Sequence, residues 1–530
     1  MSPRFNLWTS MVVGIGAVLL PAAAQSRPSA TAPSTSEIAI AKKIIEQLDD
    51  PVISVRWAAS LRLNSLDGRC LAVVEEASRQ PDVSPESQQR LANALFYLRP
   101  RSRLQPAQEA RAAWARKSLQ DAYENSGHKN PAYDDAVRRG IDLMFRLGVD
   151  PLHGSRALRD QAMRALADAI HAGCEDPFVR ALYGMCIGRI AGGSASFAVG
   201  GGVEGAQRDM QRGHYPLMAN IFVSLGYLYV AEHPSPQDGR HVGDLLEQLA
   251  KQPGLPEGEI SALVTTYYSA LSQSGDVWRN FEMFLGRYEK FAAPVDFKAH
   301  KASYLNNQAN RFWGQGQNFV ESARNAEAEA AQLSEEAWKL DPADARAARV
   351  MVILKLKQGG DREDMEIWFR RAVVANPDDL DVYRRKMFYL SPARHGTHED
   401  MLAFGRECLE TQNWRAGIPM ILVQVHQQIA DDSADSSEYL HRAEVWADLR
   451  DVYEGGLVVF PEDTRRRSEY AKLATKCGQW NVASKHFAIL GDHPDMDVFI
   501  SQESYDYLRR KAKRLSVAAP EATSAPLRAE

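Results

Sequence analysis

Apolar side chains recur every three or four positions through nearly all of the chain between about residue 37 and residue 514, and Gly, Pro, Asp or Asn breaks the pattern about every 12 to 20 residues. A helix places residues i, i+3, i+4 and i+7 on one face, whereas a half-buried strand needs strict alternation, and no stretch here alternates convincingly. Helices of this length cannot bury an apolar face alone. Stacked hairpins that share a continuous core solve the problem, so the expected fold class is all-α, a helical-hairpin repeat array of the α-solenoid type.

The two ends of the chain read differently. Arg4 precedes an apolar run from Met11 to Leu20, then Ala22-Ala23-Ala24 before Gln25. A charged start, a short apolar stretch and small residues at a cleavage point are the pattern of a Sec-type signal peptide, and ten residues are too few to span a bilayer. We therefore expect residues 1–24 to be a signal cleaved near Ala24/Gln25 and the remainder to be periplasmic or secreted. Residues 25–36, rich in Ser, Thr, Ala and Pro, read as a disordered linker, and residues 515–530 as a disordered tail. No later stretch approaches the roughly 20 apolar residues of a membrane helix, so no integral membrane segment is expected after signal removal. The formal net charge is −5, and loss of residues 1–24, whose only charged side chain is Arg4, lowers it by one. That balance gives no electrostatic case for a nucleic acid partner.

Between the ends, Val55-Arg56, Ala59 and Leu63 follow Leu48-Asp49-Asp50-Pro51, and Arg90, Ala94 and Leu98 restate the pattern about 34 residues later. These residues resemble HEAT-type hairpins, which places HEAT-like hairpins over 37–100. Further on, Ala337-Trp338-Lys339-Leu340-Asp341-Pro342 recurs as Arg371-Ala372-Val373-Val374-Ala375-Asn376-Pro377, a shift of 35 residues. Tyr470, Leu473, Cys477-Gly478, Trp480, Ala483, Phe487 and Leu490 form a third copy. This pattern resembles tetratricopeptide repeats (TPR), in which small residues let helices cross closely and Pro opens the next hairpin. The resemblance implies TPR-like repeats over 331–514, leaving 101–330 as a less regular helical domain.

A third resemblance covers roughly residues 104–430 and is to a group of exported bacterial helical proteins built around a domain of unknown function. It rests on Ala122-Tyr123 through Gly127 to Asn130-Pro131 and Asp134, on Gly173-Cys174-Glu175-Asp176-Pro177, on Trp368-Phe369-Arg370-Arg371-Ala372, and on Lys386, Leu390, Pro392, Gly396, Met401 and Phe404. Where that group often has a Trp-Gly-Gly-Ser-like turn, this chain reads Arg394-His395-Gly396-Thr397. The resemblance supports a helical fold and implies no activity.

The chemical signals are sparse. The five cysteines are Cys70, Cys174, Cys186, Cys408 and Cys477, and Cys174 with Cys186 is the nearest pair for a disulfide, against the simpler reading of each as a small buried hydrophobe. Gly192-Gly193-Ser194 through Gly200-Gly201-Gly202 lacks the order of a phosphate-binding loop and reads as a mobile loop between helices, with Phe197 available for a lid or a partner. His395 and His398 flank Gly396 beside Glu399 and Asp400 and are the candidate metal ligands, against a simpler reading in which Thr397 caps a helix. Asp431-Asp432-Ser433-Ala434-Asp435 lacks the glycine and glutamate of a calcium loop and reads as a capping turn. Trp278, Phe281, Phe284, Tyr288 and Phe291 form a stripe that an amphipathic helix would bury. Arg465-Arg466-Arg467 and Arg384-Arg385-Lys386 read as solvated helix faces, with Arg384, Arg385, His395 and Phe197 as candidate interaction residues. No cofactor is expected.

A repeat array without a catalytic motif points to a non-catalytic scaffold of the bacterial cell envelope, binding a protein or peptide through a helical groove. The alternative is an envelope glycan hydrolase or lyase on an α/α scaffold, whose two carboxylates sequence spacing would conceal.

Overall fold

The computed structural model describes residues 33–148, 156–187, 194–213, 215–231, 234–272, 278–358, 361–499 and 501–516. The described residues are helical, with no strand among them. In chain order the helices are α1 (Thr35–Glu46), α2 (Ile53–Leu63), α3 (Leu71–Ser78), α4 (Pro85–Glu124), α5 (Asp134–Leu147), α6 (Arg156–His171), α7 (Pro177–Ile187) and α8 (Ser194–Arg212). There follow α9 (Leu217–Val230), α10 (Pro236–Ala250), α11 (Glu259–Ser272), α12 (Trp278–Tyr288), α13 (Pro294–Gln315), α14 (Val320–Leu340), α15 (Ala345–Gln358) and α16 (Arg362–Ala375). The last eight are α17 (Leu380–Tyr389), α18 (His398–Glu410), α19 (Met420–Asp432), α20 (Ser436–Leu440), α21 (Ala443–Val459), α22 (Thr464–Lys476), α23 (Trp480–Leu490) and α24 (Gln502–Ser516). Chain neighbours pack as hairpins, most extensively α5/α6, α7/α8, α13/α14, α15/α16, α18/α19 and α22/α23. Short connections enforce this antiparallel pairing.

The chain forms two compact units, one of residues 106–340 and one in which residues 33–105 join residues 341–516. The boundary at Gln105/Pro106 lies inside α4, where Pro100 and Pro106 each remove an amide donor from the helical ladder. α1 begins two residues inside the segment expected to be linker, because Ser34 and Glu37 form a reciprocal capping box at its start. α24 likewise continues to Ser516, two residues into the expected tail. Residues 1–32 and 517–530, which hold the expected signal and most of the linker and tail, lie outside the described residues.

In the discontinuous unit, Leu48, Ala59, Leu63, Val74, Leu91, Ala94 and Leu98 form one apolar cluster, so the residues of the first repeat pattern share a core. The helices that carry them then run along the turns of the later hairpins. Arg101 inserts its guanidinium against the α16–α17 turn, with Nε and Nη2 each 2.8 Å from the Asp378 carboxylate and Nη2 also 2.8 Å from Asn413 Oδ1. Its Nη1 donates to the Asn64 carbonyl at 2.6 Å. Arg103 donates to the Ala343 and Ala375 carbonyls at 2.8 and 3.1 Å, Asn64 to the Thr411 carbonyl at 3.2 Å, and Ser60 to Gln412 Oε1 at 3.0 Å. Residues 343, 375–378 and 411–413 recur at about the repeat interval, so α2 and the first part of α4 brace successive turns.

Ala337, Ala372 and Ala483, the small residues of the three similar segments, are buried. Gly478 joins α22 to α23 with φ +69°, a left-handed conformation that any Cβ would strain. From Ser194 on, the glycine-rich segment is corrected from a loop to the first half of α8, since residues 194–212 are helical, while Gly192 and Gly193 lie outside the described residues. Three buried side chains of its second half, Val203, Ala206 and Met210, anchor the helix, and Gly184 of α7 approaches Val203 so closely that a Cβ there would lie 2.5 Å from Val203 Cγ2. Packing against α7 therefore offsets the poor helix propensity of the glycines.

Candidate functional site

A ladder of polar side chains in the 106–340 unit lies where α11 meets α13. Both helices turn apolar residues inward, including Leu263, Val264 and Tyr267 on α11 and Ala299, Ala302 and Leu305 on α13. Each also carries a polar stripe at helical spacing, Ser261, Thr265 and Tyr268 on one and Asp296, His300, Ser303 and Asn307 on the other. The stripes interlock rung by rung. Ser261 Oγ donates to Asp296 Oδ1 at 2.7 Å, Thr265 Oγ1 lies 3.0 Å from His300 Nε2, and Tyr268 donates to the Ser303 carbonyl at 2.7 Å. Asn307 Nδ2 donates to the Tyr268 hydroxyl, and Asn310 Nδ2 reaches Asn307 Oδ1 at 3.4 Å.

The first three rungs each join residues 35 apart in sequence. Partners that advance together require parallel helices, so α11 and α13 are equivalent first helices of successive hairpins. The interval equals the shift between the segments at 337 and 372, although this stretch reads from sequence as less regular.

His300 is fixed by its second nitrogen, because Nδ1 donates to the Asp296 carbonyl at 2.8 Å and leaves Nε2 of the neutral ring as an acceptor. The Thr265 hydroxyl is also 3.0 Å from the Ser261 carbonyl, so its one proton serves one acceptor at a time. Ser261, Tyr268 and His300 are buried, while Thr265, Asp296, Ser303, Asn307 and Asn310 are half-buried. The face thus offers hydroxyl and amide groups to solvent from a rigid backing. At its start sits Glu259, only 4% exposed. Burial pushes its carboxyl up to about 7, against the opposing pull of Arg111, whose Nη1 donates to the Glu257 carbonyl at 3.2 Å.

The residues singled out from sequence separate. His395 lies with Nε2 3.1 Å from the Leu356 carbonyl and its ring on Tyr389, whereas His398 points Nε2 at Asp432 Oδ2, 3.1 Å away. The two rings thus serve different partners, and among the described residues no group of three His, Cys, Asp or Glu side chains is disposed to hold a metal. Thr397 instead caps α18 in a reciprocal box with Asp400. Asp435 caps α20, so the acidic run is a capping turn. A Cβ on Gly396 would fall 2.4 Å from the Leu390 carbonyl oxygen, which explains the glycine in that turn.

Cys174 and Cys186 are free and buried rather than bridged. Cys174 precedes α7 and Cys186 ends it, which separates them by roughly 14 Å of helix, and Cys186 Sγ sits 3.1 Å from Met144 Sδ. The basic run at 384–386 is corrected in part. Lys386 is buried, with Nζ 2.8 Å from Glu366 and 4.5 Å from the Phe369 and Phe404 ring centres, and Arg385 pairs with Asp381 at 3.4 Å. Arg384 is half-buried on the same helix, and the Phe197 side chain lies outside those described. Phe281, Phe284 and Tyr288 pack in the core, with Tyr267 5.4 Å from Phe281.

Two fragments of the third resemblance prove to be structural devices. Asp134 accepts from the Tyr123 hydroxyl at 2.6 Å and from the Asn130 amide at 2.8 Å, while Asp176 accepts the Val179 amide at the start of α7 and the Tyr215 hydroxyl. A buried chain in the other unit also closes on itself. His426 Nε2 lies 3.3 Å from the Asp448 carboxylate and its Nδ1 2.8 Å from the Tyr439 hydroxyl, and Arg406 completes the set at 2.9 Å from Asp448.

No protein-family model matches the chain, and no curated protein matches it.

Proposed function

We propose that this chain is an exported, non-catalytic interaction scaffold of the bacterial cell envelope that holds a protein or peptide partner against the α11/α13 face. The observation that carries the reading is the repeat-phased ladder, in which two parallel helices present half-buried hydroxyl and amide groups at fixed spacing. Such groups match the alternating donors and acceptors of a polypeptide main chain, and a rigid backing lowers the entropy lost on binding. TPR-like and HEAT-like repetition supports the same reading, because stacked hairpins commonly bind along an extended surface. Affinity purification of the mature protein from cross-linked envelopes tests it. A protein that co-elutes with the wild type and is lost with Thr265→Ala/Asn307→Ala supports the proposal, and identical eluates refute it.

A second reading, a glycan hydrolase or lyase, draws on Glu259, whose raised carboxyl suits a general acid. That chemistry pairs two carboxyl groups about 5–9.5 Å apart, and the charge that bears on Glu259 is the Arg111 guanidinium. Turnover of envelope glycan abolished by Glu259→Gln would favour it.

A further inference from the structure

α11 opens at a turn that Arg111 of α4 clasps. The Glu259 amide closes the turn by donating to the Pro256 carbonyl at 3.2 Å, and Gly258, with φ +71°, directs the chain into the helix. Arg111 Nη1 donates to the Glu257 carbonyl at 3.2 Å. A Cβ on Gly258 would lie 3.3 Å from that same nitrogen, so the guanidinium rests against the turn itself.

Glu259 begins the helix with its side chain folded inward, and no hydrogen bond or ion pair reaches its carboxyl among the described residues. Burial penalises a carboxylate without a partner, and the neutral acid is the form that fits. Arg111 is the charged group that bears on it. None does from α9, α10, α12 or α13, the other helices packed against α11, and Asp296 of α13 is engaged by Ser261.

The turn therefore has two ways to satisfy its polar groups. With the carboxyl neutral, Glu259 stays buried and Arg111 serves the Glu257 carbonyl. With the carboxyl ionised, the charge is better met by leaving the interior for the guanidinium, at a helix N-terminus whose dipole also favours an anion. That exchange takes Arg111 from the Glu257 carbonyl and unseats the first turn of α11. Ser261, which carries the first rung to Asp296, lies two residues further on.

We propose that Glu259 and Arg111 form a pH-operated latch on the first turn of α11, closed when the carboxyl is protonated and open when it is ionised. Its bearing on binding rests on the scaffold role proposed for the α11/α13 face: an open latch loosens the first rung and weakens the hold on a partner. The carboxyl titrates at about 7 while buried and near 4.5 once released, so opening grows as pH rises above 4.5 and levels above about 7.

The test is amide hydrogen exchange of the mature protein without a partner, read as protection factors over residues 259–265 between pH 5.5 and pH 8. Wild-type protection there should fall roughly twentyfold across that range and level at its upper end, while α18, in the other unit, keeps its protection. Glu259→Gln, isosteric with the neutral acid, should hold the latch closed and show no fall. Unchanged wild-type protection, a decline that continues without levelling, or the same fall in Glu259→Gln overturns the proposal. The readout uses no partner, so a flat profile overturns the latch alone, and identical eluates from the ladder variant overturn the scaffold role alone.

Discussion

Truncating Arg101 to alanine should destabilise the discontinuous unit by roughly 3 kcal/mol. Its guanidinium is 4% exposed and makes paired contacts with Asp378, so the substitution strands a carboxylate and frees the Asn413 and Asn64 acceptors. Removing one partner of a fully buried pair costs about 3–5 kcal/mol. Asp378 retains 25% side-chain exposure, which places the expectation at the lower end. For a unit of this size, roughly 3 kcal/mol corresponds to about 6–12 °C in Tm. Urea unfolding followed by circular dichroism should show a lower midpoint with an unchanged slope for that transition. The pH dependence provides an internal check. Burial raises the Asp378 carboxyl, but hydrogen bonding and charge from Arg101, aided by Asn413, outweigh it and hold the group below its ordinary value. The contribution is therefore present above the unfolded value near 4 and lost as pH falls through the depressed folded value. Arg101→Ala should flatten that acid slope. A loss under about 0.5 kcal/mol with the slope intact would refute the argument.

Glu259→Gln should act with the opposite sign. The folded carboxyl titrates at about 7 and the unfolded one near 4.5, so wild-type stability falls as pH rises between these values and then levels. The variant should lack this decline and gain up to about 3 kcal/mol relative to wild type at pH 8, measured by urea unfolding at pH 5 and pH 8; an equal offset at both would contradict it. Gly396→Ala should cost roughly 1–3 kcal/mol through collision with the Leu390 carbonyl, whereas Gly202→Ala, which meets nothing within 4 Å, should raise stability or leave it unchanged. Gly478→Ala should cost about 1–2 kcal/mol for its left-handed backbone, read as a lowered Tm.

The helical class was legible because apolar periodicity reports the face a helix buries, and the Thr397 and Asp435 caps follow from local chemistry a few residues long. The ladder was not legible, although its interval was. Its rungs pair unlike residues, Ser261 with Asp296 and Thr265 with His300, so a search for repeated residue types passes over them. Arg101 was hidden for another reason, since its partners lie 277 and 312 positions away. Lys386 reads as solvated beside two arginines, yet Glu366 and two aromatic rings accommodate its charge inside. The glycines of α8 suggested a loop because propensity is a local preference, while the packing of Val203 and Met210 is not.

The claim that the α11/α13 face holds a partner is tested most directly by photo-crosslinking in living cells, with a photoreactive residue placed at Asn310 and, separately, at exposed Glu282 on α12. The account predicts one discrete, higher-mass protein adduct from position 310, absent from position 282 and abolished by Thr265→Ala. Adducts of equal yield from both positions, or none from position 310, would contradict it.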